Sequence, residues 1–148
     1  MRALAAIALV LGLTVVVTAQ HKIPPLPDTA GRPKKLASGI TITDIKVGTG
    51  IPAEKGRMVR IYFTGWVTRT QVMFDFRDEH TGPLAFHLGE GTDVKGLEYG
   101  VYGMRVGGTR RLVIPPSLGH GSHVTTLVPP NSQLTYDVEL VSVARPGA

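Results

Sequence analysis

Cysteine is absent from all 148 residues. That excludes disulfide scaffolds, thiol nucleophiles and cysteine-bound zinc or iron–sulfur centres. Charged residues are scarce, at 18% against 43% hydrophobic. Such a balance supports a packed core and excludes a disordered chain. A phosphate-binding loop is also missing, because Gly103-x-x-x-Gly107-Gly108 lacks the Lys-Ser/Thr that would hold a nucleotide. No Ser stands in a Gly-x-Ser-x-Gly nucleophile elbow. The chain is one domain's worth of polypeptide, too short for a complete doubly wound fold with a second domain. What it has in plenty is backbone punctuation: 18 Gly and 11 Pro. Punctuation that dense suits short strands joined by tight turns better than long helices.

The net charge of +5 is unevenly spread. Residues 58–148 carry eight basic and eight acidic side chains, so the excess sits in a leading arm with Lys22, Arg32, Lys34 and Lys35. A nucleic-acid-binding domain carries its basic excess on the folded face, so nucleic acid is not an expected partner. Met1-Arg2 is followed by an uncharged, aliphatic stretch from Ala3 to Thr18 and then by Ala19. This pattern predicts a signal peptide over 1–19, cleaved after Ala19, and a periplasmic or secreted protein. The alternative is an uncleaved anchor at 3–18, which is the one expected contact with a membrane. Residues 20–38, with Pro24, Pro25, Pro27 and Pro33, read as an extended basic linker. The domain itself is expected at 39–145.

From Gly39 onward the periods are those of strands. Ile40, Ile42, Ile45 and Val47 make a β run broken at Asp44, and Val59, Ile61 and Phe63 alternate with Met58, Arg60 and Tyr62. Val72-Met73-Phe74 is another strand, and Leu112-Val113-Ile114 stops at Pro115-Pro116. In the last strand Leu134, Tyr136, Val138 and Leu140 face one way, while Gln133, Thr135, Asp137 and Glu139 face the other. One stretch reads as helix, with Val94, Leu97, Val101 and Met104 at helical spacing, Asp93 placed to cap it and Gly107-Gly108 ending it. Gly96, Gly100 and Gly103 weaken that helix, so it needs a sheet beneath it. The fold class is α+β: an antiparallel sheet wrapped around one short helix.

Two constellations admit chemistry. His120 and His123, with Asp75, Asp78 and Glu79 elsewhere, allow a metal-dependent reading, but glycines flank the pair and no His-Glu-x-x-His helix is present. Asp75 stands inside the apolar run Met73-Phe74-Asp75-Phe76. It is either half-buried with a partner or turned to water at the strand end. From the residues alone, no activity follows.

Six motifs in order carry more. They are Val59-x-Ile61-Tyr62-Phe63-Thr64-Gly65, Phe74-Asp75, Phe86-x-Leu88-Gly89, Gly96-x-Glu98-x-Gly100-x-x-x-Met104-x-Val106-Gly107, Leu112-x-Ile114-Pro115-Pro116 and Val128-Pro129-Pro130-Asn131-x-x-Leu134-x-Tyr136-Asp137-Val138-Glu139-Leu140. This series resembles the FKBP-type peptidyl-prolyl cis–trans isomerases from about Gly39 to Val143. The resemblance implies a sheet of about five strands around a short helix and an apolar pocket that needs no cofactor and no metal. It implies catalytic roles for Phe74, Asp75, His120 and Tyr136, and substrate binding by Phe63, Phe86, Val94, Leu97, Leu127 and Val128. Val94 and Val128 would offer backbone N–H groups, and Asp75 would be a partly buried, paired acid. Departures from the family pattern are Leu97 in place of Trp on the floor, His120 and Phe63 in place of Tyr, and Leu84 in place of Phe on the rim. The implied partners are proline-containing polypeptide clients and a macrolide inhibitor, and the implied task is folding of exported proteins. The rival within the fold is a catalytically weak module that binds proline-containing segments.

Overall fold

The computed structural model describes residues 22–91, 94–121 and 126–145. The expected leader at 1–19, Asp93 and His123 lie outside them. Among the described residues seven strands form one antiparallel sheet: β1 Lys34–Lys35, β2 Thr41–Lys46, β3 Met58–Val67, β4 Met73–Arg77, β5 Leu84–His87, β6 Thr109–Ile114 and β7 Leu134–Val143. In space they run β1-β2-β6-β7-β3-β4, with β5 also paired to β3. Residues 58–61 of β3 pair with β5 and residues 63–66 with β4, so two short strands share one flank of a long one. The α+β expectation holds, with two strands beyond the five or so expected.

The alternation read in β7 is present in the fold. Leu134, Tyr136, Val138 and Leu140 are buried, while Glu139 is exposed. Thr135 departs from it: it is buried on the opposite face, with Oγ1 2.9 Å from Thr68 Oγ1. A bulge at Val141 then shifts the phase, since Arg60 pairs with Ser142 but Ile61 with Leu140. Val143 thereby returns to the core. The run expected through Val47 ends sooner, at Lys46, and Val47 is 72% exposed.

The proline-rich segment is less detached than its composition suggests. Gly31 donates its N–H to the Asp44 carbonyl at 2.8 Å, and Lys34 and Lys35 pair with Ile42 and Thr41. The sheet therefore begins inside the stretch expected to be linker.

Among the described residues one α-helix, α1 Lys95–Val101, lies across the sheet. Val94, Leu97, Val101 and Met104 are buried as the spacing predicts, but the helix stops at Val101, well before Gly107-Gly108. Gly103, at φ 81°, turns the chain there and donates its N–H to the Ala53 carbonyl. The two helical glycines have a structural reason. A Cβ on Gly96 would stand 2.5 Å from Ile114 Cγ2, and one on Gly100 would strike the Leu112 side chain. Their absence of side chain lets the helix lie almost directly on β6, which offsets their poor helix propensity. Arg110 closes the C-terminal end: Nη1 donates to the carbonyls of Gly100 and Tyr102, and Nε to Asp44 Oδ1 at 2.7 Å. Carbonyls that a helix end leaves without partners are thus satisfied by a cation. As expected, β6 ends before Pro115-Pro116, where a short 3-10 turn, Pro116–Leu118, follows.

Candidate functional site

The site grows from one row of the sheet. Asp75, Gly65, Tyr136 and Leu112 are cross-strand neighbours on β4, β3, β7 and β6. Gly65, between an acid and a phenol, leaves the space that the neighbouring rings fill. A Cβ there would meet Tyr136 Cε1 at 2.9 Å and Phe74 Cζ at 3.0 Å. A second device brings Phe74 to the same side. Trp66 pairs with Met73 and Gly65 with Asp75, so Phe74 is the extra residue of a bulge. A bulge suspends strict alternation, and the consecutive residues Phe74 and Asp75 both line the hollow. Met73 and Phe76 are left to the other face.

The hollow is a cavity of about 660 Å³ between this face, the start of α1 and the loop before β7. It gathers all ten catalytic and substrate-binding residues that the resemblance implied. Phe74 and Tyr136 meet edge-on at 5.7 Å between centroids, and Phe63 and Tyr136 at 5.6 Å. Such tilted pairs are favourable beyond their buried area. Phe86 reaches the cavity from β5, Val94 and Leu97 from the start of α1, and Leu127 and Val128 from the loop before β7. Leu97 and Val128 are buried, whereas Leu127 is 51% exposed and forms a lip.

Polar groups are few in this cavity. Burial, and then the negative charge of Asp75, hold the Tyr136 phenol well above its ordinary value of 10.0, so it stays a neutral O–H donor. Asp75 itself corrects the expectation of a partly buried, paired acid. It lines the cavity but is exposed, and its Oδ1 accepts the N–H of Phe76 at 2.9 Å. With Phe63 in place of a tyrosine, no hydroxyl at that position can hold the carboxylate inward. His120 is half-buried, its ring edge-on to Phe74 at 5.6 Å and 74°. Among the described residues no three His, Cys, Asp or Glu gather as they would to hold a metal.

The sequence did not nominate Arg77, Ala85, Gly91 or Thr126, which also line the cavity, as does Leu84. Arg77 was within reach, since it lies two residues beyond Asp75 on the same strand and so shares its face. Two loops are pinned at the rim. Glu98 Oε1 accepts the N–H groups of Gly89 and Gly91, tying the β5–α1 loop to the helix. Asp78 Oδ1 accepts those of His80 and Thr81 between β4 and β5. The Thr81 N–H, chiefly, holds the Asp78 carboxyl below its ordinary range.

Comparison with known proteins agrees with this geometry. A family described as FKBP-type peptidyl-prolyl cis-trans isomerase matches residues 50–141. FK506-binding protein 3 of Candida albicans is 38% identical over 133 residues, covering 85% of this chain and 30% of that protein. The 46 kDa FK506-binding nuclear protein of Spodoptera frugiperda is 37% identical over 111 residues, covering 74% of this chain and 27% of its own length. The chain thus spans less than a third of either relative. The crystal structure of AtFKBP13 superimposes with a TM-score of 0.68 at 30% identity, over 76% of this chain and 99% of that one. The relatives also correct the expected periplasmic or secreted setting. They are FK506-binding proteins, one of them named as nuclear, and they point away from export.

Proposed function

Because this chain belongs to the FKBP-type peptidyl-prolyl cis–trans isomerases, we propose that its cavity binds the prolyl ring of an extended polypeptide and accelerates rotation about the preceding Xaa–Pro bond. The observation that carries this reading is the convergence of ten nominated residues on one aromatic, largely apolar hollow. The unit that acts is assigned to residues 34–145, the expected 39–145 extended to include β1.

The barrier to rotation, about 18–20 kcal/mol, is the loss of amide resonance as the C–N bond twists. A twisted amide carries less negative charge on its carbonyl oxygen. Walls built from Phe63, Phe74, Phe86, Leu97 and Val128 hold the ring while offering little to the charge-separated planar form. The twisted amide is therefore bound better than the planar one, which is catalysis by differential binding. Tyr136, kept neutral by burial, adds a hydroxyl without adding charge. His120 and Phe74 form a wall against which the substrate backbone lies. No bond is made or broken, and no acid, base or metal is called on.

The test follows the cis–trans relaxation of short Xaa-Pro peptides with the full chain, with and without FK506. Macrolide-sensitive acceleration is expected, since spontaneous exchange takes tens to hundreds of seconds. A relaxation rate that the protein leaves unchanged overturns the reading. One observation favours a second reading, a proline-binding module with little turnover: Asp75 is bonded to its own neighbour's N–H and exposed to water. Peptide binding without acceleration would select it.

A further inference from the structure

The reverse face of the sheet carries a second hollow, of about 440 Å³, walled by Thr64, Trp66, Met73, Phe76 and Asp137. Pro24 of the leading arm sits in its lining, and the Pro24 carbonyl accepts a hydrogen bond from Arg111 Nη2 at 2.8 Å. Arg111 is itself oriented by Asp137, with Nε to Oδ1 at 2.7 Å and Nη2 to Oδ2 at 2.8 Å. Aromatic walls beside a fixed donor for a main-chain carbonyl are what an extended, proline-rich segment needs, because such a segment has few N–H groups of its own and free carbonyls. Yet Pro24, Pro25, Leu26 and Pro27 all remain exposed. Within residues 22–27 only Ile23 is half-buried, and Pro24 is held through its carbonyl.

We propose that this groove is a second docking site for extended proline-rich polypeptide, with the chain's own residues 22–27 as its resident, displaceable ligand. A segment in trans would place a proline beside Trp66 and Phe76 and its carbonyl on Arg111. It competes with an arm tethered nearby, whose effective concentration is high. This inference does not rest on the isomerase reading, because the front cavity and the reverse groove lie on opposite faces of the sheet.

Trp66, the one tryptophan in the sequence, lines the groove and reports its occupancy by fluorescence. The probe is a Lys-Ile-Pro-Pro-Leu-Pro peptide, matching residues 22–27, titrated into two full-length chains. One is unaltered and the other carries Pro24→Gly, Pro25→Gly and Pro27→Gly. A saturable change in Trp66 emission is expected in the glycine variant, and binding roughly tenfold weaker in the unaltered chain, where the arm competes. Adding Arg111→Lys to the glycine variant should remove the response. No response in the glycine variant, equal affinity in both chains, or a response indifferent to Arg111→Lys would each overturn the proposal. Xaa-Pro relaxation assayed on the same samples reads the front cavity separately.

Discussion

The two faces of the sheet are built from the same strands and reach opposite solutions. On the front, Phe63 and Tyr136 line a largely apolar hollow in which the phenol is kept neutral. On the reverse, Thr64 and Asp137, one residue along on β3 and β7, border a groove with a fixed ion pair at its edge. A guanidinium bonded to the carbonyl of Pro24 stabilises the planar, charge-separated form of the amide that follows it, the Pro24–Pro25 bond. That suits holding a proline segment in one isomer. Among the packed rings of the front the donor is the neutral Tyr136 hydroxyl, not an ion-paired guanidinium, and that suits letting the bond turn. Polarity at the carbonyl, more than the presence of aromatic rings, distinguishes a face that can turn a prolyl bond from one that can grip it.

Substitutions can break one face while sparing the other. The largest effect is expected from Tyr136→Ala, which removes the ring packed on Phe63 and Phe74. Urea unfolding should show a loss of about 3–5 kcal/mol, and the isomerisation should vanish with it. Gly100→Ala drives a methyl group into Leu112 and lifts α1 from the sheet. A cost of about 1–3 kcal/mol is expected from such overpacking, together with weaker proline binding on the front alone. Asp137→Asn unseats Arg111 on the reverse and should cost about 1.5 kcal/mol. Trp66 emission would shift while the isomerisation rate stays unchanged.

The phenol supplies a pH test. The folded state holds Tyr136 above its ordinary 10.0, so the unfolded chain ionises first. Its contribution is therefore complete below about pH 10 and shrinks as the pH rises further, by about 1.4 kcal/mol for each unit. The denaturant midpoint, followed into alkali, should fall, and Tyr136→Phe should remove that part of the slope. The smallest effect belongs to His120→Phe. This change keeps the ring edge against Phe74 and removes only the N–H, so activity should drop less than about tenfold. A larger drop would make His120 a hydrogen-bonding group in its own right.

The front was legible and the reverse was not, for a physical reason. The family resemblance nominated all ten front residues, and the alternation in Leu134, Tyr136, Val138 and Leu140 showed which side of β7 is buried. Period-two alternation, however, says nothing about which residue a strand will skip. It therefore missed the bulge that turns Phe74 to the front, and the one at Val141. The environment of Asp75 was misread because it depends on a hydroxyl that Phe63 lacks, and on the close N–H of Phe76. The reverse groove depends on Arg111 meeting Pro24, 87 residues away in the chain. No local pattern encodes such a meeting.

The position of β7 has a consequence for how the protein is born. It is the central strand, paired along its length with β3 on one side and β6 on the other. Of the sheet's seven described strands it is also the last to leave the ribosome. Until residues 134–143 emerge, the β1-β2-β6 and β3-β4-β5 portions have no strand between them. Translation must therefore deliver β7, residues 134–143, before the sheet can close. A ribosome stalled short of Leu134 would hold two open half-sheets with unpaired edges, and a chaperone would find its binding surface there.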